Sequence, residues 1–203
     1  MSAKKNIAIL ASGNGTNFQA LAKAIKKQKL KARIKLLVTD KRNSFVRIRA
    51  KNLDIKDVFV NPKEFKSDLE FDKSIVKILK KEKIDLVILA GYMKIISPFF
   101  VKSFSNKILN IHPAILPAFK GTRSISRAFK YGCKVTGVTV HFIDEKVDHG
   151  PIILQETVEI KKGMSREKLE KKIHKLEHKL YPQALKLILD KKVKVSGRDV
   201  KII

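Results

Sequence analysis

The sequence predicts an α/β fold, a doubly wound, mostly parallel Rossmann-like sheet of about seven strands with flanking helices. Two observations predict it. Apolar runs of strand length alternate with helical patterns through the first half of the chain, as parallel strands joined by helical crossovers require. Residues able to do chemistry follow directly on several of those runs, and ligands of such sheets lie beyond the carboxyl ends of the strands.

The elements read in order as follows. The first buried strand is 6–11, and Ser12-Gly13-Asn14-Gly15-Thr16-Asn17 turns the chain into a helical pattern at 17–28. Strands at 33–39, 57–60, 85–90 and 107–112 are separated by helical patterns at 43–52, 68–83 and 97–104, and further strands fall at 135–143 and 151–159. A last helix spans about 165–190 with Ser165 as N-cap, and the tail to Ile202 alternates like a terminal hairpin. No repeat or low-complexity linker interrupts the pattern. The expectation is a single domain over 1–203, with halves at about 1–105 and 106–190 and a tail at 191–203.

Composition bounds the function. The chain has 203 residues, 44% of them apolar, enough for one substantial core. It has no apolar run of about 18 residues, and Met1 to Lys5 lead straight into a strand, so a soluble, cytoplasmic protein without a membrane partner is expected. Cys133 is the lone cysteine, which excludes an internal disulfide. The formal net charge of +26 raises nucleic-acid binding as a rival function. However, 37 of the 45 basic residues are Lys, and there is no Trp. Sequence-specific readers favour the bidentate Arg fork and single-strand binders interleave aromatics. A lysine-rich surface without a specific nucleic-acid partner is therefore the preferred reading.

The chemistry concentrates at two places. Asn110 and His112 are two apart at the end of a strand, which points both side chains to one face. An amide beside an imidazole suits binding and protonating a carbonyl oxygen as it becomes an oxyanion. Asp148, in Asp148-His149-Gly150-Pro151, is placed to orient the imidazole and favour its charged form. Earlier, Gly15, Thr16 and Asn17 lie where a strand, a glycine turn and a helix start offer N–H groups and a positive dipole end to a phosphate. The motif is neither the three-glycine dinucleotide fingerprint nor a Lys-bearing P-loop. The five histidines show no ligand spacing, so no metal is expected, and His141 reads as a core or supporting residue.

The string Leu109-Asn110-Ile111-His112-Pro113-Ala114-Ile115-Leu116-Pro117, then Gly137-Val138-Thr139-Val140-His141-Phe142, then Asp148 to Gln155, resembles the catalytic segment of the folate-dependent formyltransferases. The resemblance runs from Asn6 to about Ile188. It implies that Asn110, His112 and Asp148 are catalytic and that 10-formyltetrahydrofolate is the formyl donor. Met93, Lys94, Ile95, Ile96, Asn110 and Val147 would bind the folate. The loop at Gly15, Thr16 and Asn17 is similar to the phosphate loop of members that formylate the amine of glycinamide ribonucleotide, a step of de novo purine biosynthesis, and Glu177 would contact that substrate. The resemblance further implies small-molecule partners and a monomer or homodimer. A 10-formyltetrahydrofolate deformylase-like hydrolase is the alternative within the family. The sequence departs from the pattern at Asp68, where members often carry a basic residue for the folate's glutamate tail, and at 121–127, which lacks a histidine some members have.

Overall fold

The computed structural model describes residues 4–27 and 30–203, and the chain divides into two compact units, Met1–Leu109 and Asn110–Ile203. The first unit runs β1 (Lys5–Leu10), α1 (Thr16–Lys27), β2 (Ala32–Thr39), α2 (Phe45–Lys51), β3 (Asp57–Phe59), a 3-10 turn (Pro62–Glu64), α3 (Asp68–Lys81), β4 (Leu86–Leu89) and α4 (Pro98–Ser103). β1 is parallel to both β2 and β4, with Ile7 opposite Ile34 on one side and Leu86 on the other. A central parallel strand is covered on both faces, which is why it carries no polar alternation. Ile7 to Leu10 are fully buried.

α3 shows how one helix attaches to this sheet. The Ser67 hydroxyl accepts the Glu70 N–H at 3.2 Å and opens the helix. Phe71, Ile75, Val76 and Leu79 then fall on one buried stripe. Each such side chain stabilises the fold by roughly 1.5–3 kcal/mol through removal from water.

β5 (Ile108–His112) leads into the second unit, followed by α5 (Ser124–Tyr131), β6 (Val135–Phe142), β7 (Ile152–Glu159), α6 (Arg166–Leu189), β8 (Val193–Ser196) and β9 (Asp199–Ile202). β6 and β7 pair antiparallel, with Gly137 opposite Thr157. The seven-stranded sheet has the order β3-β2-β1-β4-β5-β6-β7, and β8 and β9 form a separate two-stranded sheet. The expected elements are present to within a few residues, and the hairpin and the Ser165 cap are both formed. The expected end of the first helix at 28 lies outside the described residues.

Periodicity alone does not foretell α5. It is eight residues long, starts after a left-handed Arg123 without a side-chain cap, and buries only Ser124 and Ala128. A helix that short, without a start signal, is held by its surroundings rather than by propensity.

Candidate active site

In the second unit β5 alternates as the spacing requires. His112 is 4% exposed, and Asn110 is half-buried on the same face. Pro113 follows and has no N–H with which to continue a ladder. Asp148 arrives from the loop between β6 and β7, in a left-handed conformation with φ 45°. This is a backbone state that Asp and Asn tolerate better than most residues.

These three residues meet. His112 Nδ1 lies 3.3 Å from Asp148 Oδ2, and Asn110 Nδ2 lies 3.4 Å from Asp148 Oδ1. His141, fully buried on β6, completes the cluster. Its Nδ1 donates to the Phe142 carbonyl at 2.7 Å, and its Nε2 lies 3.2 Å from Asn110 Nδ2 and 3.7 Å from Asp148 Oδ1. The sequence marks His141 as a supporting residue, but not that it holds the Asn110 amide.

Both nitrogens of His112 face acceptors, since Nε2 is 2.9 Å from the Phe119 carbonyl oxygen. Only the imidazolium donates to both. Burial nevertheless pushes the His112 pKa below its ordinary value, and the Asp148 charge and the Phe119 carbonyl pull it back only in part. Asp148 does favour the charged form, as its placement in the sequence implies, but it does not outweigh burial. The neutral ring holds one proton between two acceptors. The Phe119 carbonyl is a backbone atom seven residues along from His112, and nothing in the sequence marks it.

Asp148 is 9% exposed. Burial pushes its carboxyl up, but hydrogen bonding to His141, the Gly121 N–H at 2.8 Å and the neighbouring imidazoles outweigh it, leaving the group below the usual carboxylate range. It is therefore ionised across the neutral range. Val147, its neighbour, is exposed. Glu177, which in so charged a helix reads as solvated, is buried on α6 and accepts from His174 Nδ1 at 2.8 Å. That contact holds the His174 pKa above its ordinary value, against burial.

In the first unit, the loop after β1 is a braced turn. Arg49 of α2 donates to the Asn14 carbonyl at 2.8 Å and to Asn14 Oδ1 at 2.7 Å, and Val46 N–H donates to the Gly13 carbonyl. Gly15 has φ 77°, and a Cβ there would overlap the Val46 side chain and come 3.0 Å from its Cα. Gly15 is thus required by packing against α2. Thr16 and Asn17 form the first turn of α1, and the Gln19 N–H donates back to the Gly15 carbonyl at 3.0 Å.

The block after β4 is tied to the same loop. Ser12 N–H donates to the Gly91 carbonyl, and Met93 N–H donates to Ser12 Oγ at 2.9 Å. Met93 and Ile95 are 66% and 75% exposed, which rules out the ordinary core as their place. Ile96 is half-buried. Lys94 pairs with Asp68 at 2.7 Å and lies over the Phe71 ring. Beside them opens a groove of about 530 Å³ lined by Lys41, Arg42, Phe59, Lys63, Met93 and Lys94 among others. No group of His, Cys, Asp or Glu suited to a metal ion occurs among the described residues, and none of their helices is long and apolar enough to cross a membrane.

Comparison with known proteins agrees over nearly the whole chain. The formyl transferase family profile matches residues 5–185. The chain is 41% identical over 185 residues to the phosphoribosylglycinamide formyltransferase of Bacillus subtilis (strain 168), covering 91% of this chain and 95% of that protein. It is 39% identical over 199 residues to the human trifunctional purine biosynthetic protein adenosine-3, covering 98% of this chain but only 20% of that protein. The solved glycinamide ribonucleotide transformylase 1 from Symbiobacterium toebii superposes with a TM-score of 0.97 at 35% identity, covering 100% of this chain and 96% of that one. With the profile covering most of its length, the chain belongs to the formyl transferase family.

Proposed function

We propose that this chain transfers the formyl group of 10-formyltetrahydrofolate to the amine of glycinamide ribonucleotide. The observation that carries the reading is the buried cluster in which Asn110, His112 and Asp148 touch, with both His112 nitrogens engaged. Relatives named for this reaction support it. The chemistry follows from the cluster. The neutral amine attacks the formyl carbon, a C–N bond forms, and the carbonyl π electrons move to oxygen. His112 Nε2–H turns from the Phe119 carbonyl to that oxygen, and the Asn110 amide turns one N–H toward it. The attacking nitrogen, now cationic, releases a proton that passes through a water and Asp148 to His112 Nδ1, so the imidazolium forms as negative charge grows on the oxygen. The carbonyl then re-forms, the bond to the folate N10 breaks with its electron pair on N10, and N10 takes the proton from His112, which leaves His112 neutral and Asp148 ionised.

The remaining assignments follow this reading. Gly15, Thr16 and Asn17 take the ribonucleotide phosphate at the start of α1, and Glu177 takes its glycinamide end or ribose. Met93, Ile95, Ile96 and Val147 present apolar surface to the folate, and Lys94 faces the folate's carboxylate tail. The chain works as a single domain in the cytoplasm, as a monomer or homodimer, without a metal or a specific nucleic acid. The test is product analysis. Incubation with both substrates is expected to give formylated ribonucleotide in equal amount to tetrahydrofolate, whereas formate as the product, with or without acceptor, identifies the hydrolase instead.

A further inference from the structure

The loop that carries Asp148 is clamped from outside by the terminal hairpin. β8 and β9 pair from Val193 with Ile202 to Ser196 with Asp199, and Gly197 with φ 59° occupies the first central position of the two-residue turn. Arg198 is therefore presented at the tip. Its Nη1 donates to the His149 carbonyl at 2.7 Å and lies 2.9 and 3.1 Å from the two ring nitrogens of His149. A nitrogen so nearly equidistant from both sits over the ring face, because the same distances in the ring plane would put it on Cε1. On its other side His149 Nδ1 donates to Asp144 Oδ2 at 2.6 Å, and Asp144 Oδ1 accepts the Lys146 N–H at 3.0 Å. Arg198, His149 and Asp144 thus close the segment 144–149 on itself, and Asp148 is inside it.

Asp148 needs such support. It is a non-glycine residue at φ 45°, a conformation that persists only where its surroundings fix it. The Gly121 N–H holds its carboxylate from within, while the carbonyl of the next residue, His149, is held by Arg198. We propose that Arg198 is a positioning residue which, through His149 and Asp144, fixes the Asp148 carboxylate against His112. This role rests on the catalytic reading of Asp148, yet its first consequence, the position of a carboxylate beside an imidazole, is measurable without any substrate.

The experiment follows the His112 titration by NMR in the free protein, together with steady-state kinetics, for Arg198→Ala, Arg198→Lys and the control Lys201→Ala. Lys201 lies on the same hairpin and is exposed. The sign discriminates. Loss of a cation alone favours the imidazolium and raises the His112 midpoint, whereas displacement of Asp148 removes an anion and lowers it. The account predicts a lower midpoint in Arg198→Ala, with kcat down roughly ten- to a hundredfold, as misplacement of about 1 Å produces. The KM for the ribonucleotide stays the same. Arg198→Lys, which keeps the charge but not the planar fork, shifts in the same direction by less, and Lys201→Ala changes neither reading. An unchanged or raised midpoint in Arg198→Ala overturns the proposal. If that variant does not fold, an unchanged midpoint in Arg198→Lys overturns it. A lowered midpoint in a protein whose wild type transfers no formyl group supports the clamp and rejects the catalytic reading.

Discussion

His112 is neutral at rest because it is buried, and it faces two acceptors because β5 and two loops bring them there. That combination makes the protein acid-sensitive. The folded-state pKa of His112 lies below its ordinary 6.5, and that of Asp148 lies below its ordinary 3.8. In both cases the unfolded chain binds the proton more readily. Their stabilisation is therefore complete above those ordinary values and is lost as pH falls through the lowered ones. His174, with its pKa raised by Glu177, behaves oppositely and favours the fold below pH 6.5. Urea melts from pH 7 downward are expected to lose stability from about 6.5, and His112→Phe is expected to flatten that first decline. An equal slope in the variant assigns the acid lability elsewhere. Gly15→Ala should destabilise by roughly 1–3 kcal/mol through overpacking on Val46, and Val46→Gly, which removes both clashing side-chain atoms, should recover part of that loss in the double variant. Simple addition of the two losses would show that Val46 is not the obstacle.

At the scale of elements, the strands and long helices are legible because each has a period that burial enforces. β1 is apolar at every buried position, and α3 has a capping Ser67 and a single buried stripe. What escapes is held by contacts distant in sequence. α5 has no side-chain N-cap and buries only Ser124 and Ala128 fully, the Phe119 carbonyl is a backbone atom, and the bond from Asn110 to His141 spans 31 residues. The site itself was legible at Asn110, His112 and Asp148 because spacing and residue type specify chemistry directly. The His112 protonation state was not, since it depends on burial. α3 and the block after β4 also account for Asp68. Where a basic residue was expected, Asp68 at the start of α3 draws Lys94 into an ion pair. The pair is exposed on the Asp68 side, so it adds little stability, but it competes with any anionic ligand. Asp68→Asn is expected to lower the KM for a folate donor with a glutamate tail severalfold while leaving kcat and melting temperature nearly unchanged. A raised KM would place Asp68 itself among the donor's contacts.

On the scale of the whole molecule, the sheet order and the mostly parallel strands follow from the alternation of elements, and the charge does not bear on them. A formal charge of +26 carried mainly by Lys is a property of the surface. It acts on anionic substrates through long-range attraction. Binding to duplex DNA should be weak, indifferent to sequence and abolished by moderate salt, since it would rest on counterion release alone. Gel-shift titrations at two salt concentrations decide this, and complexes that survive the higher salt would restore the nucleic-acid function.

The account stands on His112 and Asp148 acting as one unit on the formyl group. The direct measurement is a single-turnover cycle with the wild type, His112→Ala, Asp148→Asn and the double variant, each mixed with 10-formyltetrahydrofolate and glycinamide ribonucleotide. The fold should survive in Asp148→Asn, because Asn suits the left-handed position. Each single variant is expected to slow formyl transfer by roughly two or more powers of ten. The double variant should lose less than the two losses combined, as residues of one catalytic unit do. Near-normal transfer in folded Asp148→Asn, or losses that multiply independently, would contradict the account.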